Sequence, residues 1–164
     1  MNGPEPRWKV CHSANSNEWR TPQEVINHFG PFDIDVCATP GMEVCANFIS
    51  PEMDGLKQPW GDPGDKAWCN PPYSAIYPWV AKAIGESGRG ITTTMLVPSR
   101  TCQSWWHVLL GKVALRAADL YLCRGRLRFG NAKASAPFPS AVFVIHGMVL
   151  EPTDVEYFYN KKER

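Results

Sequence analysis

Asn70-Pro71-Pro72-Tyr73 is the stretch whose residue types, taken together, could do chemistry. Its two prolines stiffen the backbone and remove two N–H donors, which leaves the Pro71 carbonyl and its neighbours as rigid acceptors. The Asn70 side-chain oxygen is a further acceptor beside them. A planar NH2 group donating to both would be held with its nitrogen lone pair out of conjugation, ready to attack a methyl group placed in line. Tyr73 offers a flat face for the ring that carries the amine. Neither Asn nor Pro is a general base, and none is required, because the amine becomes acidic only after the methyl has arrived. Catalysis would then rest on orientation and on stabilising the positive charge that forms on nitrogen. As a bare tetrapeptide the same run also suits a structural proline turn.

Such a loop needs elements to position it. Residues 66–69 read as a short strand running straight into it. Residues 77–87 follow as a helix, with Trp79, Val80, Ala83 and Ile84 at helical spacing. In an open α/β sheet, ligands sit beyond the carboxyl ends of the strands, so the loop is well placed for chemistry. Upstream, Thr21-Pro22-Gln23-Glu24 has the form of a capping box with proline at the first helical position, and Gly30-Pro31 ends that helix. Residues 32–36 alternate as a strand does. Residues 38–65 look irregular, with a short helix over 42–48. Downstream the reading is a buried strand over 91–97, a helix over 102–110, a hairpin of 120–123 with 127–129, and a buried strand over 140–146. This order predicts an α/β fold, a mostly parallel sheet with an antiparallel edge hairpin. Residues 1–17 read as a flexible N-terminal arm, 18–150 as one catalytic domain and 151–164 as a C-terminal tail.

Composition narrows the classes. The chain has 164 residues, enough for one domain and one core, and its formal net charge of +1 points to no partner. A nucleic-acid surface would have to be a local basic patch. There is no apolar run of membrane-spanning length and no signal-peptide core, so a cytoplasmic protein is expected. The six cysteines include no CxxC pair, and apart from Cys11 beside His12 their spacing fits no common zinc pattern. Reduced thiols and no metal are expected. The seven tryptophans and fifteen prolines cluster together, which suits rigid loops around a flat ligand or simply core filling.

The chain resembles the phage-type, Dam-like DNA N6-adenine methyltransferases. Asn-Pro-Pro-Tyr is the catalytic signature of amino-methyltransferases. The other matching stretches are Trp19-Arg20-Thr21-Pro22, residues 32–38, Asp54-Gly55-Leu56 with Trp60, residues 97–101, 124–129 and 135–140. They run in order over nearly the whole chain. The resemblance implies a reduced Rossmann-like class I core, S-adenosylmethionine as methyl donor, and adenine in double-stranded DNA as acceptor. It also implies contacts of Thr21 and Pro22 with the methionine end of the cofactor, a cofactor turn at Asp35, Cys37 and Ala38, and Asp54 near the ribose or adenine. Asn70, Pro71, Pro72 and Tyr73 would hold the target base. The glycine-rich turn expected after the first strand is missing. Only about thirty residues separate that strand from the catalytic loop, too few for two full βα units, so the sheet must be trimmed. Cytosine N4, RNA adenine or a glutamine side chain present the same planar amine, and a binding module without activity is a further alternative.

The other residues carry plainer alternatives. Thr21 is a helix cap first. Asp33 and Asp35 share one face of their strand, which could be its wet face, and Asp35 lies nearer the carboxyl end. Asp54 precedes a glycine, as in any turn. Arg124, Arg126 and Arg128 alternate, forming either a phosphate-binding stripe or a charged sheet edge. Arg100 follows a strand end and would face the same cleft. Trp105 and Trp106 are helix neighbours, so at most one is expected fully in the core.

Overall fold

A computed structural model describes residues 20–130 and 134–148; the expected arm and the whole of the expected tail lie outside the described residues. The elements in chain order are α1 (Gln23–Phe29), β1 (Ile34–Asp35), β2 (Lys66–Cys69), α2 (Ile76–Ser87), β3 (Thr92–Pro98), α3 (Ser104–Ala114), β4 (Ala118–Leu122) and β5 (Ser140–Ile145). The strands form one sheet in the order β1-β2-β3-β5-β4. β1, β2 and β3 are parallel, and β5 runs antiparallel to both β3 and β4. β5 alone therefore runs against the other strands.

Alternation along the strands divides the core into two layers. Ala67, Cys69, Met95, Val97, Ala141, Phe143 and Ile145 face α2 and α3. Trp68, Leu96 and Val142 face α1, whose Val25, Ile26 and Phe29 pack against them with Leu127 and Phe129. No helix among the described residues is long and apolar enough to cross a membrane.

Several expectations need correction. The hairpin of 120–123 with 127–129 does not form. β4 pairs instead with β5, which lies inside the sheet, while Leu127 and Phe129 turn their side chains into the α1-side core. Five of the six β5 residues are buried, and a strand buried on both faces takes the interior place. The helix expected over 42–48 is absent, because that segment runs beside β1. Asp35 donates its N–H to the Asn47 carbonyl (2.9 Å), and Ile49 N–H donates to the Asp35 carbonyl (2.8 Å). Thr21 does not cap α1, which begins at Gln23 with Pro22 in the cap position. Trp105 and Trp106 are both buried, since α3 packs against both the sheet and α2; the Trp106 ring meets Phe143 edge-on at 5.2 Å.

Candidate active site

The catalytic-loop candidate leaves the carboxyl end of β2, in the middle of the parallel strands. Pro71 and Tyr73 are buried and Asn70 half-buried. The Asn70 amide nitrogen donates to Thr21 Oγ1 at 3.4 Å, so a hydroxyl expected to cap a helix instead orients the loop's amide. Arg100, following β3, donates from Nη1 to the Tyr73 carbonyl at 3.1 Å and braces the loop from the other side. The Tyr73 ring is only 6% exposed and meets Phe138 edge-on at 5.4 Å. Its hydroxyl has no hydrogen-bond partner among the described residues, and burial holds its pKa well above the ordinary tyrosine value.

A cavity of about 340 Å³ opens where the β1 and β2 ends meet. Cys37, Ala38 and Asp54 line it together with Asn70 and Pro72. Val36, Ile49, Pro51 and Trp79 supply apolar wall. A small cavity of about 30 Å³ adjoins it, sharing Cys37, Thr39 and Asn70 and adding Thr21 and Asp35.

Asp35 builds the turn behind the cavity. It is 3% exposed, and its carboxylate accepts from Cys37 N–H (3.2 Å) and Val44 N–H (3.3 Å). Burial raises its pKa to about 6, against the pull of those two N–H groups. Burial, helped by Asp35, raises Cys37 to about 12, so this thiol is no nucleophile near neutrality. Asp54 sits in a left-handed turn (φ 60°), accepts from Leu56 N–H at 3.2 Å and pairs with Lys57 at 2.9 Å. Its hydrogen bond with Lys57 chiefly holds its carboxyl below the usual range. Gly55 is required for packing, since a Cβ there would lie 2.2 Å from the Val36 carbonyl and 3.0 Å from the Trp79 ring. Its carbonyl accepts from buried Trp60 Nε1 at 2.7 Å.

The remaining sequence candidates lie elsewhere. Pro22, Arg126 and Arg128 line an outer groove on the α1 side, while Arg124 is exposed and lines neither groove nor cavity. Among the described residues no cluster of three His, Cys, Asp or Glu side chains could hold a metal ion.

Residues 10–156 match the family described as DNA N-6-adenine-methyltransferase (Dam). The chain belongs to that family. It is 36% identical over 92 residues to a DNA N-6-adenine-methyltransferase of Escherichia phage T1, an alignment spanning 54% of this chain and 38% of the relative. It is 30% identical over 123 residues to a DNA N-6-adenine-methyltransferase of Haemophilus phage HP1 (strain HP1c1), spanning 72% of this chain and 69% of the relative. The chain thus matches well under half the length of the first relative. No solved structure matches it significantly.

For this Dam-family chain, sequence reasoning missed part of the cavity. Ile49, Ser50 and Pro51 lie in the stretch read as irregular, and no local pattern marks them. Trp79 was legible only as a core residue of α2. Gly55 did carry a signal, lying beside Asp54 in a stretch that matched the family. What the arrangement offers chemically is a mostly apolar chamber, polar at one rim, that ends on a rigid loop rich in acceptors.

Proposed function

We propose that this chain transfers a methyl group from S-adenosylmethionine to the exocyclic N6 amine of adenine in double-stranded DNA, inside a bacterial host. The observation that carries the proposal is the single cavity running from Cys37, Ala38 and Asp54 to Asn70 and Pro72. Its volume is within the range of small-ligand sites, roughly 300–1,000 Å³. Its walls suit the cofactor: the apolar side formed by Ile49, Pro51 and Trp79 suits a purine, and the Asp54 carboxylate at the rim suits hydroxyl donors. The fold we propose is a trimmed Rossmann-like class I methyltransferase. Adjacent β1 and β2 deliver the cofactor turn and the catalytic loop to one edge, and β5 is the strand that runs against the rest.

When bound, S-adenosylmethionine supplies an electrophilic methyl carbon. The chain's own residues do the rest by orientation. Thr21 holds the donor end of the Asn70 amide, so Oδ1 is the end presented to an amine. The Pro71 carbonyl accepts the second amine hydrogen, and both acceptors stabilise the positive charge developing on nitrogen. The base is flipped from the duplex to reach this loop. A base stacked on Tyr73 must displace its present cover, which includes Phe138.

The test is tritiated methyl transfer to duplex DNA, RNA and protein in parallel. Asn70→Ala should lower kcat on duplex DNA by on the order of 10²-fold, as loss of one preorganised electrostatic contact does. Cofactor affinity by calorimetry should change little. Asn70 is the better probe because Tyr73→Ala would open a core cavity costing about 3–5 kcal/mol. Unimpaired transfer by Asn70→Ala, or no cofactor binding by the wild-type chain, would refute the proposal.

A further inference from the structure

We infer that the groove between α1 and residues 126–130 binds the phosphodiester backbone of the DNA strand next to the flipped nucleotide. The inference rests on the methyltransferase reading for the identity of its ligand. The groove is separate from the cofactor cavity and about twice as large, at about 680 Å³. Arg20, Arg126 and Arg128 line it, against Glu24 as the one acid in the lining. All three arginines are exposed, and among the described residues none of them has an ion pair or side-chain hydrogen bond. Glu43 lies close enough to be influenced by Arg20, although its lowered pKa comes mainly from its own N–H and that of Gly41.

Local packing fixes this display of charge. Leu127 and Phe129 insert into the core, so the alternate Arg126 and Arg128 point outward although the segment is not a strand. Gly130 N–H donates to the Arg20 carbonyl at 2.8 Å and ties that segment to α1. The groove lining holds no aromatic ring, so it lacks what would stack a base. Guanidinium forks with no competing carboxylate partner suit phosphate oxygens, and a site of this kind positions a strand without reading its sequence.

Its place in the molecule names the segment of strand. Thr21 lines both this groove and the small cavity containing Asn70, and it holds the Asn70 amide. A phosphate on Arg20 would thus lie one residue along the chain from the side chain that orients the loop. This is where the backbone flanking an extruded base must run. The chain's formal charge of +1 makes such local concentration necessary for gripping a polyanion.

The experiment is fluorescence anisotropy of the full chain with a labelled duplex over a salt series, alongside methylation kinetics. Arg126→Gln/Arg128→Gln should reduce the slope of log affinity against log salt by about 1.8, at ~0.9 per phosphate contact. Between about 50 and 200 mM salt, the wild type should therefore lose roughly twelvefold more affinity than the double variant. The KM for duplex should rise, kcat at saturating duplex should stay within about twofold, and calorimetric cofactor affinity should be unchanged. Arg20→Gln should give about half the slope change. Lys66→Gln, the same charge loss at the opposite end of β2, should give none. Wild-type slopes and KM values in both arginine variants would overturn the inference while leaving the methyltransferase proposal intact. A wild-type chain that binds duplex but transfers no methyl would fail that proposal, with the slopes still deciding the groove.

Discussion

Asp35→Asn should remove a pH dependence of folding stability that the wild type carries between about pH 4 and pH 7. In the folded chain the Asp35 carboxyl titrates near 6, and burial is the main cause. In the unfolded chain it returns to about 3.9. The folded value is the higher one, so folding favours the protonated form. Stability from this group is full below the unfolded pKa and is lost as pH rises through the folded one. The difference of about two units corresponds to about 3 kcal/mol once both states are ionised, and about 2 kcal/mol of that falls between pH 4 and pH 7. Asparagine keeps one carbonyl oxygen for the Cys37 or Val44 N–H but has no proton to exchange. Urea unfolding of both proteins across this pH range is the assay. The stability of Asp35→Asn relative to wild type should improve by about 2 kcal/mol as pH rises. A gap that stays constant, or that moves the other way, would show that the two N–H bonds outweigh burial, and the reasoning would fail.

Two further substitutions probe the wall and the loop. Gly55→Ala forces a methyl against the Val36 carbonyl and the Trp79 ring. It should cost about 1–3 kcal/mol, read as a lower Tm, and should weaken cofactor binding in calorimetry. Retention of both Tm and affinity would mean that the wall yields without effect. Thr21→Val removes the acceptor for Asn70 at nearly constant volume, so kcat should fall about tenfold with the duplex KM little changed, and Thr21→Ser should restore most of it. Equal loss in Val and Ser variants would argue for a packing role instead.

The elements bordering the loop from Asn70 to Tyr73 were legible because period and burial agree there. β2 begins and ends where its four residues predicted, α2 starts one residue early, and β3 is displaced by one residue at both ends. Their side chains alternate between the two core layers or repeat against one of them, so local pattern and tertiary packing ask for the same structure. Residues 42–48 and 127–129 were not legible because distant partners decide them. The first follows the hydrogen bonds of Asp35 along the edge of β1, and the second follows the apolar surface of Trp68, Leu96 and Val142. Thr21 shows the same limit in one residue. The sequence shows a hydroxyl before a helix, and only the fold brings Asn70, 49 positions away, within its reach. In the cavity, Cys37, Ala38 and Asp54 were legible through the family pattern, whereas Ile49 and Pro51 reach it through turns with no periodicity to mark them.

A short connection explains why polar contacts carry so much of this half of the site. In a fuller doubly wound sheet, further strands and helices would pack behind the β1 turn. Here the chain between β1 and β2 is nearly all turns, and specific bonds do that work. The Asp35 carboxylate gathers the N–H groups of Cys37 and Val44, and the segment through Phe48 pairs with the outer edge of β1. Trp60 then pins the Gly55 carbonyl, and its ring stacks over Trp79 at 6.2 Å to join the loop to α2. Each of these contacts fixes a backbone position that lines the cavity, so substitutions behind the wall should affect cofactor binding although they touch no ligand. The acceptor half is built differently. Asn70 to Tyr73 stand on β2 between two hydrogen-bonded strands, with Arg100 and Thr21 bracing the loop from opposite sides. A rigid acceptor loop beside a cavity wall fixed by hydrogen bonds is what the proposed orientation-driven transfer would require, because the reacting nitrogen must be aimed more closely than the donor's remote end must be held.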